Sequence, residues 1–372
     1  MTVLRLGIVQ DYVPQYRLHF FERLVDRLAD AGIRCVVIAG QPTRSLAGRN
    51  DATEAASWLR QAAPHELLVG RNGPRVYGYG TSRHWHDCDG VIHLLRGTAI
   101  DLHLELLTKK RNGRRVGVWG HIGRTIGPPN PVDTMLERWQ MRHSDHIFGY
   151  TQQCADAAVA EGISAEKVTP VMNSIDVSAL LDAYQTLSTD HVKDFVGQYS
   201  LTPGKTFGFI GALDAPKRVD FLAVVLDYLW RVDRQIKLVV GGTGDQRRLL
   251  APAIQRGQVV TLGYSGSNEK ALIMRVSQAL LNPGRIGLIA VDALAVGIPI
   301  LTTDWKFHAP EYDYLIPARD VFESRDTGED FSRLILQTTN ADNMWPRHLG
   351  KSYPSLDGMI DNFAFGVHKM FT

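Results

Sequence analysis

Cysteine is scarce in this chain of 372 residues, with only Cys35, Cys88 and Cys154, far apart and odd in number. That scarcity excludes a disulfide framework and a cysteine-built zinc site, and it fits reduced thiols in a cytoplasm. An excess of either charge is also missing. Lys and Arg number 41 against 39 Asp and Glu, a formal net charge of +2, so nothing calls for a nucleic-acid partner. No uninterrupted apolar run reaches about 18 residues, so a spanning helix is not expected. There is no internal repeat and no low-complexity tract. The opening MTVLRLGIVQDYVPQYR carries a charge inside a short apolar run and no cleavage-site pattern, and it reads as a first strand rather than a signal peptide. What is present, 44% hydrophobic and 22% charged residues, suits a globular chain long enough for two domains.

Short apolar runs alternate with helical patterns at Leu4–Val9, Arg34–Ala39, Gly90–Leu95, Arg115–Trp119, Asp145–Tyr150 and Val168–Val171. A second set follows at Thr206–Gly211, Ile236–Gly241, Gln258–Leu262, Ala279–Leu281 and Ile298–Thr302. Such alternation predicts an α/β chain of two doubly wound, Rossmann-like domains, with ligands bound in a cleft at the C-terminal ends of the strands. The first domain is expected at 1–178 and the second at 205–352, joined by a polar passage over 179–204 that ends in SLTPGK. The tail, 353–372, has apolar residues at helical spacing behind a cap candidate, Ser355, and is expected to pack back toward the first domain.

One segment concentrates the chemistry. In NPGRIGLIAVDALAVGIPILTTD, Asn282 to Asp304, a turn leads from a strand into a helix expected over Leu288–Val296, which stops at Gly297 and Pro299 for want of a continuing conformation. Gly284 and Gly287 lie before that helix, where bare backbone and free N–H groups favour an anion, so the loop is a candidate phosphate cradle. Asp292 leans back toward the same helix end, and a buried carboxylate there needs solvent or a hydrogen-bond donor. In FGFIGALDAPKRVDF a strand ends at Gly211, and Lys217 with Arg218 opens a helix from about Pro216, within reach of the same phosphates.

Other residues stand at ends of first-domain strands. His121 follows the strand of VGVWGHIGRTIGPPNP, with Arg124 in the loop beyond. Tyr16 and Arg17 open the first amphipathic helix. The run KKRNGRR, Lys109 to Arg115, is the one dense basic cluster, a solvated loop or a contact for anionic lipid. Asp87-Cys88-Asp89 has a metal-binding D-x-D form, but it precedes a strand instead of ending one, and no metal is expected.

YRLHFFERL, VWGHIG, VMNSIDVSAL and above all NPGRIGLIAVDALAVGIPILTTD with HAPE are together similar to the retaining glycosyltransferases of the GT-B fold, family 4 (group 1), of bacterial type. The resemblance implies two facing Rossmann-like domains and transfer of a sugar from a nucleotide diphosphate sugar to a hydroxyl of a glycan, glycolipid or similar acceptor. Configuration is retained and no cofactor or metal is needed. It implies that the backbone of Ile286, Gly287, Leu288 and Ile289 holds the diphosphate and that Asp292 binds the ribose. It further implies that Lys217 neutralises the leaving phosphates, that His121 lies near the transferring sugar, and that Glu311 is the later glutamate of the signature.

Gly211, Arg218, Gly284 and Arg285 complete the expected donor site, and Tyr16, Arg17 and Arg124 the acceptor side. The chain departs from the pattern at Gly284, where members carry a sugar-binding glutamate, at Ala212, where many carry arginine, and at Asp292, one methylene short of glutamate. Those departures keep a second reading open, a catalytically inactive GT-B binding or scaffold subunit. A nucleotide-sugar epimerase on the same fold is a third. The expected setting is cytoplasmic, with peripheral contact at an anionic inner membrane face through KKRNGRR.

Overall fold

The computed structural model describes residues 3–42, 55–62, 65–68, 75–79, 82–123, 127, 130–339 and 353–372. The chain divides into two units, one of Met1–Asp176 with Pro354–Thr372, the other of Val177–Tyr353.

The first unit is built on β1 (Leu4–Gln10), β2 (Ile33–Ala39), β3 (Leu59–Gln61), β6 (Gly90–Leu94), β7 (Arg115–Gly120), β8 (His146–Gly149) and β9 (Val168–Pro170). These form one parallel sheet in the order β3-β2-β1-β6-β7-β8-β9. A separate antiparallel pair, β4 (His65–Leu68) and β5 (Arg75–Tyr79), lies between β3 and β6 in sequence. The crossovers are α1 (Leu18–Asp30), α2 (Ile100–Asn112), α3 (Pro131–His143) and α4 (Gln152–Ala160). Asn130 starts α3 by accepting from Val132 N and Asp133 N ahead of Pro131, and Thr151 caps α4 by accepting from Cys154 N.

The second unit opens with α5 (Ser178–Thr186) and α6 (Thr189–Gln198). The stretch expected as a bare passage therefore holds two helices belonging to this unit, because Leu180, Ala183, Tyr184, Phe195 and Leu201 join its core. Its sheet comprises β10 (Thr206–Ile210), β11 (Lys237–Gly241), β12 (Val259–Gly263), β13 (Leu280–Leu281), β14 (Ile300–Thr303) and β15 (Val321–Ser324), in the order β12-β11-β10-β13-β14-β15 and parallel throughout. This is the dinucleotide-fold order, with the switch between β10 and β13. Every residue of β10 is buried, as a central strand covered on both faces must be. Its helices are α7 (Val219–Val232), α8 (Ala251–Gln255), α9 (Ser267–Val276), α10 (Ile289–Val296) and α11 (Gly328–Gln337).

The last helix, α12 (Leu356–Phe371), is part of the first unit. Ser355 caps it by accepting from Gly358 N at 3.0 Å. Met359, Ile360, Phe363, Val367 and Met370 enter the core formed by α1 and β1. Arg23 pairs with Asp357, and Arg27 with Asp361 at 3.1 Å, so α1 and α12 are also joined along their outer edges.

Candidate functional site

At the switch point of the second unit, the loops after β10 and β13 are joined to each other. Arg285 N donates to Pro216 O at 2.8 Å, and Lys217 Nζ donates to Arg285 O at 2.6 Å. Lys217 also lies over bare Gly211, its Cε 3.3 Å from where a Cβ would stand. Gly284 has no room for a side chain: an added Cβ would meet the Lys217 carbonyl carbon at 2.6 Å and its Cα at 2.8 Å. Backbone thus occupies the place where the resemblance would set a glutamate side chain. Gly211, Lys217, Gly284 and Arg285 are brought together.

Arg218 departs from its expected role. It adopts a left-handed conformation, φ 56°, and α7 begins only at Val219 rather than near Pro216. Its guanidinium lies 4.3 Å from the ring centres of both Phe221 and Trp305. It donates to Pro283 O at 3.2 Å and Thr303 Oγ at 3.3 Å, and it pairs with Asp326. An arginine so enclosed braces the 283–285 loop. A non-glycine residue held at positive φ beside a ligand loop is the kind of strain that functional sites retain.

The loop then enters α10. Ile286 is pinned at both backbone groups, its N–H to His308 Nδ1 at 3.2 Å and its carbonyl from Ala309 N at 2.8 Å, while Gly287, Leu288 and Ile289 are half-exposed. The first N–H groups of a helix have no intrahelical acceptor and carry the positive end of its dipole. Glu311 is buried, with Oε2 3.8 Å from a Cβ built on Gly287.

Asp292 finds its hydrogen-bond donor within the chain. It is only 3% exposed and accepts from Lys270 Nζ at 2.7 Å. Its partner comes from α9, on a different helix and 22 positions away, beyond any local spacing argument. The carboxylate is therefore paired within the chain itself.

In the first unit, His121 follows β7 and is half-buried against Tyr150, ring centres 4.5 Å apart at 76°. Tyr16 is 48% exposed. Arg17, expected on the acceptor side, is buried: it donates to Asn173 Oδ1 at 2.5 Å and Ser174 O at 3.4 Å, and faces Trp119 at 5.4 Å. It ties α1 to the segment after β9. Arg124 lies outside the described residues. The D-x-D acids serve structure, Asp87 pairing with Arg60 at 2.9 Å and Asp89 accepting from Arg5 N at 2.8 Å. The hydrogen bond from Arg60 holds the Asp87 carboxyl below its usual range. Among the described residues no group of three or more His, Cys, Asp or Glu gathers to hold a metal.

Burial perturbs further groups. Burial, and then the Asp133 charge, pushes Glu137 on α3 up to about 7. Burial pushes the Cys88 thiol up to about 11 and raises Cys35 as well, so both behave as packing groups.

Residues 204–332 match the family model described as glycosyl transferases group 1. No curated protein matches the chain in sequence. Among solved structures, the chain is similar to Alr3699/HepE of Anabaena in complex with UDP and glucose (12% identity, TM-score 0.64, 99% of this chain and 100% of that one). It is also similar to sucrose-phosphate synthase of Thermosynechococcus elongatus (14%, TM-score 0.65, 99% of each). A third likeness is to UDP-GlcNAc 2-epimerase of Methanocaldococcus jannaschii (12%, TM-score 0.55, 97% and 100%). At these identities the likeness is one of fold.

Proposed function

We propose that this protein, a GT-B glycosyltransferase whose second unit carries a group 1 domain, is a family 4 enzyme that transfers a sugar with retained configuration from a nucleotide diphosphate sugar, without a metal. The observation that carries the reading is the join of Lys217 to Arg285 O at 2.6 Å, which presents an ammonium beside the loop that runs into α10. The diphosphate is assigned to the N–H groups of the Gly287–Ile289 turn, and the charge that develops as it leaves is assigned to Lys217. Preorganised charge of this kind is usually the largest contribution to catalysis, and it lets a protein dispense with a divalent ion.

Asp292 is assigned to the ribose. Glu311 and backbone groups around Gly284 are assigned to the sugar, in place of the missing glutamate. We favour front-face attack, in which the leaving phosphate takes the acceptor's proton and His121 orients the sugar. The neighbours that bind UDP or glucose support a nucleotide-sugar donor. The acceptor is proposed to be a glycan or glycolipid precursor of a bacterial polysaccharide. Transfer assays with a panel of nucleotide sugars in excess chelator, with the product anomer read by NMR, test this directly. Inversion, or transfer only with added divalent ion, overturns it.

A peripheral setting on an anionic cytoplasmic membrane face is proposed with it. Within the basic run, Lys109 bonds Asp145 at 2.8 Å and Arg114 bonds Glu105 at 2.7 Å, while Lys110 and Arg111 are exposed. They share α2 with Leu104 and Leu107, 54% and 68% exposed. No helix among the described residues is long and apolar enough to cross a membrane. Salt-sensitive sedimentation with anionic vesicles, weakened by Lys110→Glu with Arg111→Glu, is the expected result, and no binding at low salt contradicts it.

A further inference from the structure

We propose that Tyr150 is the positioning residue for His121, fixing the plane of its imidazole; the inference rests on the role assigned to His121 above. The strand register brings them together. β7 and β8 run parallel with Gly120 opposite Gly149, so the next residue of each, His121 and Tyr150, emerges side by side at the C-terminal end of the sheet. The two rings meet edge to face, 4.5 Å apart at 76°.

Tyr150 has little freedom of its own. Its ring lies 5.7 Å from Trp119, and Trp119 is 1% exposed, enclosed by Phe20 at 5.8 Å, Phe21 at 6.5 Å and Phe363 at 5.1 Å. The Arg17 guanidinium faces the same indole. An ordered core therefore extends through Trp119 and Tyr150 to His121, which directly follows β7. The two imidazole nitrogens are chemically distinct, and the ring plane decides which is presented. An edge-to-face contact with Tyr150 allows the imidazole few planes and so limits how it is presented before substrate arrives. That preorganisation is what a residue orienting a sugar requires.

Tyr150→Phe keeps the aromatic contact and Tyr150→Leu removes it while remaining apolar. The phenylalanine variant is expected to turn over near the parent rate. The leucine variant is expected to lose roughly 10- to 100-fold in kcat, the scale of a displaced catalytic group, with nucleotide affinity unchanged. In a His121→Ala background, Tyr150→Leu should cost nothing further. A second readout is independent of turnover: the His121 Cε1–Hε1 NMR signal should move in Tyr150→Leu and stay near its parent position in Tyr150→Phe. Parent-like kcat in Tyr150→Leu, the same fractional loss with and without His121, or an unmoved His121 signal each overturns the proposal. Should His121→Ala itself keep full turnover, the role given to His121 fails, and the NMR signal still decides whether Tyr150 holds the ring.

Discussion

Removing Lys270 leaves Asp292 as a buried carboxylate with its strongest partner gone. The two side chains are unequally covered, Asp292 5% exposed and Lys270 27%, so the pair lies between a surface ion pair and a fully buried one. Surface pairs contribute about 0.2–1 kcal/mol, whereas a hydrogen bond to a charged group contributes about 1.5–3 kcal/mol. Lys270→Met should therefore cost about 1–2 kcal/mol, a fall in Tm of roughly 2–8 °C for a domain of this size. Asp292→Asn should cost less, because a lysine left alone at that exposure can turn to water. The double variant removes both charges and should recover most of the loss, an interaction energy of the size found for contacting residues, about 0.5–3 kcal/mol. Calorimetric unfolding of the four proteins gives the cycle. Nucleotide titration of the same set should show weaker binding wherever Asp292 is changed. Simply additive losses would refute the coupling, and undiminished nucleotide binding in Asp292→Asn would remove that residue from the donor site.

Lys217→Met should lower transfer roughly 100- to 1,000-fold, the effect of losing one preorganised charge; parent-like turnover would take the lysine out of the mechanism. Gly284→Ala forces a Cβ into the Lys217 backbone, and overpacking of that kind costs about 1–3 kcal/mol, so Tm and nucleotide affinity should fall together, whereas an unchanged Tm would show that the two loops separate freely. Glu137 titrates at about 7 in the fold against an ordinary 4.5, so the folded state holds its proton more tightly and stability should fall as pH rises through that window. Buried His93 and His146, pushed down to about 3 and about 4, act in the opposite direction over acidic pH, so the measurement is the difference between parent and Glu137→Gln. That difference should grow from pH 4.5 to 7 in the variant's favour, and a flat difference contradicts the assignment.

The sheets were legible wherever a strand is central. β10 is buried on both faces and reads as a continuous apolar run, and β1, β7 and β11 read the same way. The edge strands Leu59–Gln61 and Val321–Ser324 were not, because they are short and carry polar residues among few apolar ones, whereas the edge strands Val168–Pro170 and Val259–Gly263 were expected from their apolar residues. The helix stop at Gly297 was readable because its φ of 75° is a local demand met by a local residue. Long-range pairing was not readable. Nothing near Asp292 announces Lys270, and nothing in YRLHF says that Arg17 turns inward to Asn173. Lys217 and Arg218 look interchangeable in sequence, yet one positive φ sends the second side chain between Phe221 and Trp305 and away from its neighbour's task. Gly284 was visible as a missing glutamate, but the backbone of the neighbouring loop, which occupies that side chain's place, belongs to the fold alone.

The central claim is a metal-independent donor site on the second unit. Calorimetric titration of the parent and of Lys217→Met with UDP, GDP and dTDP in excess chelator tests it most directly. Saturable binding of one nucleotide to the parent, weakened in the variant, is the predicted result. No binding of any of the three would contradict the claim and favour a scaffold that has kept the fold without the chemistry.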